Sequence, residues 1–367
     1  MGIPEKIKAI QEEIHKTQIN KSTEFHVGLL KAKIAKLKNE LRENKHGNTL
    51  SGGKDNEGFD VRKTGDASVV LIGLPSVGKS TLLNSLTNAK SRVGAYQFTT
   101  LTAIPGMMEF LGAKIQVLDL PGIVEGAAKG RGMGKRVLSV ARNADLVLTI
   151  LDVFQPQQIK VLHRELGEIG IKIDKKPPDV RIEKSNTGGL AIQILCRIKL
   201  SESLIREILR INGIHNGRIV IREPGLTDED LIDLVSGNIV YLPSLPILNK
   251  IDLVPQNIVD KLKSDFDFVP VSADRNINID TLKKAIYEKL DFIRIYLKPR
   301  GGKADYDEPL IMKRNCTVLD VCNKIHRNFA RNFRYALVWG TSVKFDQQKV
   351  GLDHVLKNHD VVTIITR

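Results

Sequence analysis

The sequence predicts an α/β protein built around a mostly parallel sheet. Short apolar runs alternate with helical patterns through much of the chain, as a parallel sheet with crossover helices requires. A glycine-rich loop separates one of the first apolar runs from a helix, which is typical of nucleotide-binding α/β folds. The chain has 367 residues and is 42% apolar, enough for two or three domains with packed cores.

The glycine-rich loop spans residues 73–80 and reads G-L-P-S-V-G-K-S. It follows the apolar run 69–72 and opens a helix, the context in which this pattern binds phosphates. Backbone N–H groups and the helix N-terminus favour a negative ligand there. We expect Lys79 to reach the β- and γ-phosphates and Ser80 to bind Mg²⁺. The predicted phosphate-binding residues are Gly73, Pro75, Ser76, Val77, Gly78, Lys79, Ser80 and Thr81.

Two further segments follow in the order that a GTPase requires. In D-L-P-G, residues 119–122, Asp119 ends an apolar strand and is predicted to hold Mg²⁺. The N–H of Gly122 is predicted to sense the γ-phosphate, although the same four residues also suit an ordinary turn. Between the motifs, Thr100 is predicted to close over Mg²⁺ and the γ-phosphate, with Thr99 as the alternative. A strand edge without a ligand is the competing interpretation of this threonine segment.

The segment N-K-I-D, residues 249–252, predicts which base is bound. The Asp252 carboxylate can accept two hydrogen bonds from guanine, whereas adenine would leave it unsatisfied. Lys250 is expected to lie along the base, and the Ala273 N–H to reach guanine O6. The predicted base-binding residues are Asn249, Lys250, Asp252, Ser272 and Ala273. These motifs together predict GTP binding and conflict with an ATP-using P-loop kinase.

The residues assigned to hydrolysis are Lys79, Thr100 and Gly122, and we expect slow intrinsic turnover. In Ras, a Gln that follows D-x-x-G orients the attacking water. Ile123 holds that position here and cannot polarise water. The glycine-rich segment 125–134 is expected to need a partner or a cation to order it. The alternative is a scaffold protein that keeps GTP as a structural ligand.

The charge of the chain is concentrated near its C-terminus. The net charge is +14, and residues 294–367 carry 14 Lys and Arg against 7 Asp and Glu. This basic module favours a polyanionic partner, most simply RNA, while a role in solubility is the competing interpretation. Trp339 is a candidate for base stacking or for packing. The cations that crowd the first half of the module are Lys313, Arg314, Lys324, Arg327, Arg331 and Arg334.

The cysteines and the hydropathy pattern predict the compartment. Three cysteines without a C-x-x-C pair fit a reducing cytoplasm and give no zinc pattern. The sequence has no run of 18 apolar residues and no signal-peptide pattern, so we expect a cytoplasmic protein without a membrane span.

The remaining segments predict the domain organisation. Nearly a hundred residues separate the buried strand predicted at 144–152 from N-K-I-D, more than a minimal core needs, and this indicates an inserted domain. A helix is predicted over 279–296. A helical hairpin is predicted at the N-terminus, and it is expected either to pack on the main domain or to serve as a docking or RNA-contacting arm. The predicted units are a helical hairpin at 1–50, a flexible linker at 51–65, a GTPase domain at 66–172 and 239–296, an inserted α+β domain at 173–238 and a ubiquitin-like domain at 297–367.

Four segments form a first group: G-L-P-S-V-G-K-S-T (73–81), Y-Q-F-T-T-L-T (96–102), D-L-P-G-I-V-E-G-A (119–127) and N-K-I-D (249–252). They resemble the Obg-like GTPases of the translation-factor class. Three further segments are more particular: G-L-L-K-A-K-I-A-K-L-K (28–38), G-F-D-V-x-K-T-G-D-A (58–67) and Y-A-L-V-W-G-x-S-V-K (335–344). They resemble the developmentally regulated GTP-binding protein family of archaea and eukaryotes. The likeness runs almost end to end, and the lysine-rich composition favours an archaeal member.

The resemblance implies an inserted domain like domain 2 of ribosomal protein S5 and a C-terminal TGS domain of the β-grasp type. It implies a GTP-driven switch on translating ribosomes, with Mg²⁺ as cofactor and, in eukaryotes, a stabilising partner protein. It leaves potassium open, because related enzymes with a clear potassium ligand have Asn where Ser76 stands here. A ribosome-assembly GTPase and an RNA-binding scaffold are the alternative functions.

Overall fold

The computed structural model describes residues 2–18, 23–43, 64–87, 104–119, 140–237 and 239–366. Its helices are α1 (Ile3–Lys16), α2 (Glu24–Glu43), α3 (Lys79–Leu86), α4 (Gln158–Ile169), α5 (Glu202–Ile211), α6 (Asp228–Ser236), α7 (Gln256–Asp265), α8 (Ile279–Lys289), α9 (Val318–Ile325) and α10 (Arg327–Arg331). Its strands are β1 (Ala67–Ile72), β2 (Ile104–Phe110), β3 (Ala113–Asp119), β4 (Leu146–Asp152), β5 (Ile171–Ile173), β6 (Val180–Lys184), β7 (Leu190–Ile194), β8 (Gly217–Ile221), β9 (Val240–Leu242), β10 (Ser244–Asn249), β11 (Val269–Pro270), β12 (Phe292–Leu297), β13 (Leu310–Lys313), β14 (Phe333–Trp339), β15 (Gln348–Val350) and β16 (Val361–Thr366).

The chain forms two compact units, each made from segments that are distant in sequence. The insert unit comprises Met1–Gly58 with Gly170–Tyr241, and the core unit comprises Phe59–Ile169 with Leu242–Arg367. The insert unit therefore extends a few residues beyond the predicted bounds of 173–238. Most of the predicted linker, residues 51–63, lies outside the described residues.

The core unit is built on a six-stranded sheet with the strand order β11-β10-β4-β1-β3-β2. Its neighbouring strands run parallel except for the pair of β2 and β3, which is antiparallel. Every residue of β1 is buried, as expected of a central parallel strand covered on both faces. The predicted mostly parallel sheet is confirmed, and the loops after β1, β4 and β10 meet at its carboxyl edge.

In the insert unit, the N-terminal hairpin packs on the inserted segment. The strands β6, β8 and β7 form a three-stranded sheet, and Ala32 of α2 shares one apolar cluster with Ile205 of α5 and Leu231 of α6. A Cβ on Gly28 would lie 3.0 Å from Leu204 Cδ1, so a small residue lets the two helices approach. Lys31 Nζ adds ion pairs of 3.1 Å to Asp228 and 2.9 Å to Glu229. The hairpin is thus part of the insert unit rather than a separate domain.

The C-terminal module of the core unit begins earlier than the sequence predicts. Helix α8 ends at Lys289, and Phe292–Leu297 forms β12, which pairs with β13 and β16 in a five-stranded sheet ordered β13-β12-β16-β14-β15. The predicted helix over 279–296 is therefore wrong after residue 289, and the predicted boundary at 297 falls inside the sheet. Asp291 has a φ of 55°, which ends the helix, and the alternating apolar run that follows pairs with the distant strand β16.

Ion pairs attach the C-terminal module to the amino edge of the six-stranded sheet. Asp66 and Asp145 immediately precede β1 and β4, and their carboxylates lie 2.7 Å from Lys324 Nζ and 3.0 Å from Lys313 Nζ. The second oxygen of Asp66 accepts the Lys114 N–H at 3.0 Å, so it also fixes a neighbouring strand. The module therefore lies at the end of the sheet opposite the phosphate loop.

An apolar contact carries the same attachment. Ile311 of β13 is 2% exposed and belongs to the apolar cluster of the six-stranded sheet. The rings of Tyr287 and Phe292 meet edge to face at 5.6 Å beside it. Gly112 fits against Pro309, where a Cβ would lie 2.7 Å from Pro309 Cγ. One continuous apolar cluster consequently joins the six-stranded sheet to the C-terminal sheet.

We expect Ile311→Ala to lower the free energy of unfolding by about 2–5 kcal/mol, because it leaves a cavity in this cluster. Lys313→Ala should cost only about 0–1 kcal/mol, since the Lys313 side chain is 62% exposed in its ion pair. Urea denaturation followed by tryptophan fluorescence would measure both. Equal losses would contradict an attachment carried mainly by apolar packing.

Candidate nucleotide-binding site

The phosphate loop folds tightly between β1 and α3. A Cβ on Gly73 would lie 2.7 Å from the Ile150 carbonyl oxygen, and one on Gly78 would lie 2.5 Å from Asn249 Nδ2. Gly78 also has a φ of 89°, a conformation that glycine adopts without steric cost. The loop needs glycine at both positions because it lies directly against the neighbouring strand ends.

Lys79 lies over the loop at the start of α3. Its Nζ donates to the carbonyl oxygens of Gly73 and Leu74, both at 2.9 Å. Burial lowers the pKa of Lys79, and the negative charge of Asp119 opposes that shift. A partly desolvated ammonium attracts a phosphate more strongly than one in water. This is the position expected for a phosphate-binding lysine.

Ser80 and Asp119 lie together, as a magnesium site requires. Ser80 Oγ donates to Asp119 Oδ2 at 2.9 Å, although the two residues lie on α3 and β3. Asp119 is 4% exposed, and its buried Oδ1 has no hydrogen-bond partner among the described residues. A buried carboxylate oxygen without a partner is costly unless a cation accompanies it. Hydroxyl and carboxylate oxygens are ligands that Mg²⁺ accepts, so these residues fit the ion.

Asn249 joins the base-reading segments to the phosphate loop. It is 2% exposed, and its Nδ2 donates to the Val77 carbonyl oxygen at 2.8 Å. Its Oδ1 accepts the Ala273 N–H at 3.0 Å. The N–H that is predicted to reach guanine O6 donates to Asn249 in this structure. Asn249 acts as a brace between the two loops.

Asp252 occupies the turn after β10, where the sequence predicts the guanine reader. Its side chain is 8% exposed, and its Oδ2 lies 3.4 Å from the Nε of the largely exposed Arg275. The buried Ser272 accepts the Arg275 N–H through its Oγ at 3.2 Å, which fixes the loop that carries this arginine. A nearly buried carboxylate at this edge is suited to a base that offers two donors.

Lys250 is held by a residue that the sequence analysis did not single out. Its Nζ donates to the Ser76 carbonyl oxygen at 2.8 Å and pairs with Asp152 Oδ2 at 2.7 Å. Asp152 ends β4, directly opposite Asn249 of β10 in the parallel ladder. The sequence signal that could have identified Asp152 is its position as an acidic residue at the C-terminal end of a buried strand, next to the strand that leads into N-K-I-D.

Part of the predicted site lies outside the described residues. This applies to Thr99, Thr100, Gly122, Ile123 and the segment 125–134. The described residues thus include the other residues predicted to bind phosphate, magnesium and the base.

The described residues contain no cluster of three or more His, Cys, Asp and Glu side chains able to hold a metal ion. Burial raises the pKa of the Cys316 thiol to about 11, which keeps it protonated at pH 7. No helix in the described part of the chain is long and apolar enough to cross a membrane.

Three family profiles match consecutive parts of the chain. Residues 68–184 match a family described as "50S ribosome-binding GTPase", and residues 187–292 match the "C-terminal region of MMR_HSR1 domain". Residues 293–366 match the TGS domain, consistent with a C-terminal sheet that begins with β12.

Solved structures that match the chain include the GTP-binding protein from Pyrococcus horikoshii OT3, with a TM-score of 0.41 and 13% identity over 82% of this chain and 100% of that one. The YchF GTPase of Schizosaccharomyces pombe gives a TM-score of 0.43 and 13% identity over 83% of this chain and 99% of that one.

Curated relatives match along the whole chain. An uncharacterised GTP-binding protein of Methanocaldococcus jannaschii is 50% identical, covering 100% of this chain and 94% of the relative. Developmentally-regulated GTP-binding protein 1 of Xenopus laevis is 45% identical, and developmentally-regulated GTP-binding protein 2 of Homo sapiens is 43% identical, each with 100% coverage of both chains. With this identity over its full length, and a P-loop GTPase domain followed by a TGS domain, the chain belongs to the developmentally regulated GTP-binding protein family of Obg-like GTPases.

Proposed function

We propose that this protein hydrolyses GTP to GDP and phosphate and acts as a nucleotide-dependent switch on ribosomes. The observation that supports the nucleotide part most directly is the bracing of the phosphate loop by Asn249 and Lys250, through bonds of 2.8 Å each. A single pocket edge then presents phosphate-binding and base-binding groups at a fixed separation. That arrangement suits a guanine nucleotide better than phosphate or a base alone.

The residues around the phosphates have separable tasks in this proposal. Mg²⁺, when bound, neutralises charge on the β- and γ-phosphate oxygens. Ser80 and Asp119 would hold it, while Lys79 would exchange its two carbonyl partners for phosphate oxygens. Thr100 and Gly122 are proposed to sense the γ-phosphate. Ile123 stands where Ras has the Gln that orients the attacking water, and its apolar side chain cannot do so, so the proposed turnover is slow.

The proposed ribosomal partner is supported by the charge on the C-terminal module. Three of its six clustered cations are already engaged with carboxylates of the core unit, namely Lys313, Arg314 and Lys324. The other three, Arg327, Arg331 and Arg334, are exposed and have no ion pair among the described residues. These three, called here the arginine strip, are free to contact phosphates of RNA.

Aromatic side chains continue from the arginine strip across the sheet. Ala336 and Val338 of β14 face the module's core, so the alternating Tyr335 and Trp339 face away from it. Lys349 Nζ lies 4.8 Å from the Tyr335 ring and Lys298 Nζ lies 4.4 Å from the Trp339 ring. Trp339 is half-buried under Lys298, so packing is its main role in this structure.

A ribosome-assembly GTPase and an RNA-binding scaffold are the competing proposals for the function. A stabilising partner protein, a cytoplasmic location and a response to potassium are further proposals, each compatible with the switch. The name of one matching family, "50S ribosome-binding GTPase", favours a ribosomal partner for this chain. Co-sedimentation with ribosomes in the presence of GDP or of a non-hydrolysable GTP analogue would distinguish a switch from a scaffold. A switch binds preferentially in one nucleotide state, whereas a scaffold binds equally in both.

We expect Asp252→Asn to shift preference from guanine to xanthine nucleotides, because an amide offers a donor where guanine also presents one. Competition between GDP and XDP for the purified protein would measure the shift. Unchanged affinity for GDP would refute the assignment of Asp252 as the guanine reader.

We expect the isolated protein to hydrolyse GTP in sodium buffer at roughly 10⁻⁴–10⁻² s⁻¹, the range of unassisted GTPases. Phosphate release under single-turnover conditions would measure it, with potassium buffer as the comparison. A rate above about 1 s⁻¹ without any partner would contradict a site that lacks a group to orient water.

We expect the combined Arg327→Glu, Arg331→Glu and Arg334→Glu variant to lose most ribosome co-sedimentation, because it reverses the charge of the arginine strip. Lys303→Glu, an exposed cation in the same module, is the matched control. A truncation at residue 296 is a poor test, because it removes Ile311 from the core cluster. Binding that survives the triple variant would move the RNA contact to another surface.

A further inference from the structure

We infer that Asp152 is a positioning residue of the nucleotide site, which fixes Lys250 across the base pocket and thereby controls how fast a guanine nucleotide leaves. This inference rests on the proposed nucleotide site and assigns it a residue outside the phosphate loop and N-K-I-D. Asp152 acts through Lys250 and is not expected to touch the nucleotide.

The contact between the two residues is short and largely shielded from water. Asp152 Oδ2 lies 2.7 Å from Lys250 Nζ, and the two side chains are 17% and 32% exposed. Among the described residues, Asp152 is the one carboxylate paired with this ammonium. An ion pair of this kind is stronger than the exposed pairs elsewhere on the surface, because less water screens it.

The same ammonium spans two strained points of the backbone. Lys250 itself has a φ of 65°, and Ser76, whose carbonyl oxygen it contacts, has a φ of 64°. Side chains other than glycine rarely adopt this left-handed conformation, and such residues persist where surrounding contacts hold them. The ion pair with Asp152 supplies such a contact, since it fixes the lysine side chain that joins both points.

The position of Asp152 in the sheet explains why a carboxylate can do this. It ends β4, between β1, which leads into the phosphate loop, and β10, which leads into N-K-I-D. Its Oδ1 accepts the Phe154 N–H at 3.0 Å, an Asx-turn that holds the carboxylate in place. A fixed carboxylate in the middle strand can therefore tie together the loops of its two neighbours.

A specific nucleotide response follows from this arrangement. Lys250 contacts the phosphate loop at the Ser76 carbonyl oxygen and, in the proposed site, lies beside the base rather than the γ-phosphate. Loosening Lys250 should therefore speed the release of GDP and of GTP by the same factor. The catalytic rate constant for bound GTP should stay unchanged.

The test uses Asp152→Asn and Asp152→Ser in the full-length protein. Both replacements keep an oxygen that can accept the Phe154 N–H, and both remove the charge that pairs with Lys250. Dissociation of a fluorescent GDP analogue, chased with excess GDP, is measured by stopped flow. We expect release to be about tenfold faster in both variants, the loss typical of a charged hydrogen bond. Asp267→Asn, an exposed aspartate of the same unit, should leave release unchanged.

A double-mutant cycle decides whether Asp152 acts through Lys250. In a Lys250→Met background, Asp152→Asn should cause no further acceleration, because the pair is already broken. Independent, multiplicative effects would overturn the inference and assign Asp152 to the loop of Phe154 instead. Unchanged release in the single variants would overturn it as well.

Two controls separate this inference from the proposed function. Wild-type protein that fails to bind the GDP analogue would refute the nucleotide site itself, and the inference with it. Wild-type binding with unaltered variants would refute the role of Asp152 alone. If both variants unfold in the absence of nucleotide, the aspartate holds the fold rather than the lysine, and the inference is equally overturned.

Discussion

The hydrogen bond from the Asn249 amide to the Val77 carbonyl oxygen is the contact on which the nucleotide site depends. It joins residues 172 positions apart in sequence, and it leaves no space for a side chain at Gly78. Because the same amide also holds the Ala273 N–H, three separate loops share one rigid edge. The spacing between phosphate-binding and base-binding groups is then set by buried contacts rather than by the ligand, which is how a site is pre-organised.

The two edges of the parallel sheet are used differently. Its carboxyl edge gathers Lys79, Asp119 and Lys250, the residues proposed to contact the nucleotide and its Mg²⁺. At its amino edge, Asp66 and Asp145 spend their carboxylates on strand backbone and on lysines of the C-terminal module. Some lysines of the C-terminal module are therefore neutralised by carboxylates at this edge. Part of the module's charge is used for attachment, and the arginine strip remains available for a polyanion.

Sequence reasoning succeeded where the determining contacts are local. The phosphate loop and N-K-I-D are short segments whose backbone geometry requires particular residues, so their positions could be predicted. It failed where partners distant in sequence decide the outcome. The run F-I-R-I-Y-L suits either a helix or a strand, and pairing with Val361 and Val362, over sixty residues later, makes it β12. The role of Asp152 could not be predicted for the same reason, because its partner Lys250 is 98 positions away in the sequence.

The interleaving of the two units has a consequence for biosynthesis. The hairpin is synthesised first, but Glu229, the partner of Lys31, is synthesised 198 residues later. At 5–20 residues per second, roughly 10–40 s pass before that partner is made. During this interval the face of α2 that packs on the inserted segment, including Ala32, lacks its partners Ile205 and Leu231. The nascent chain therefore offers an apolar helix to chaperones while the six-stranded sheet is still being synthesised.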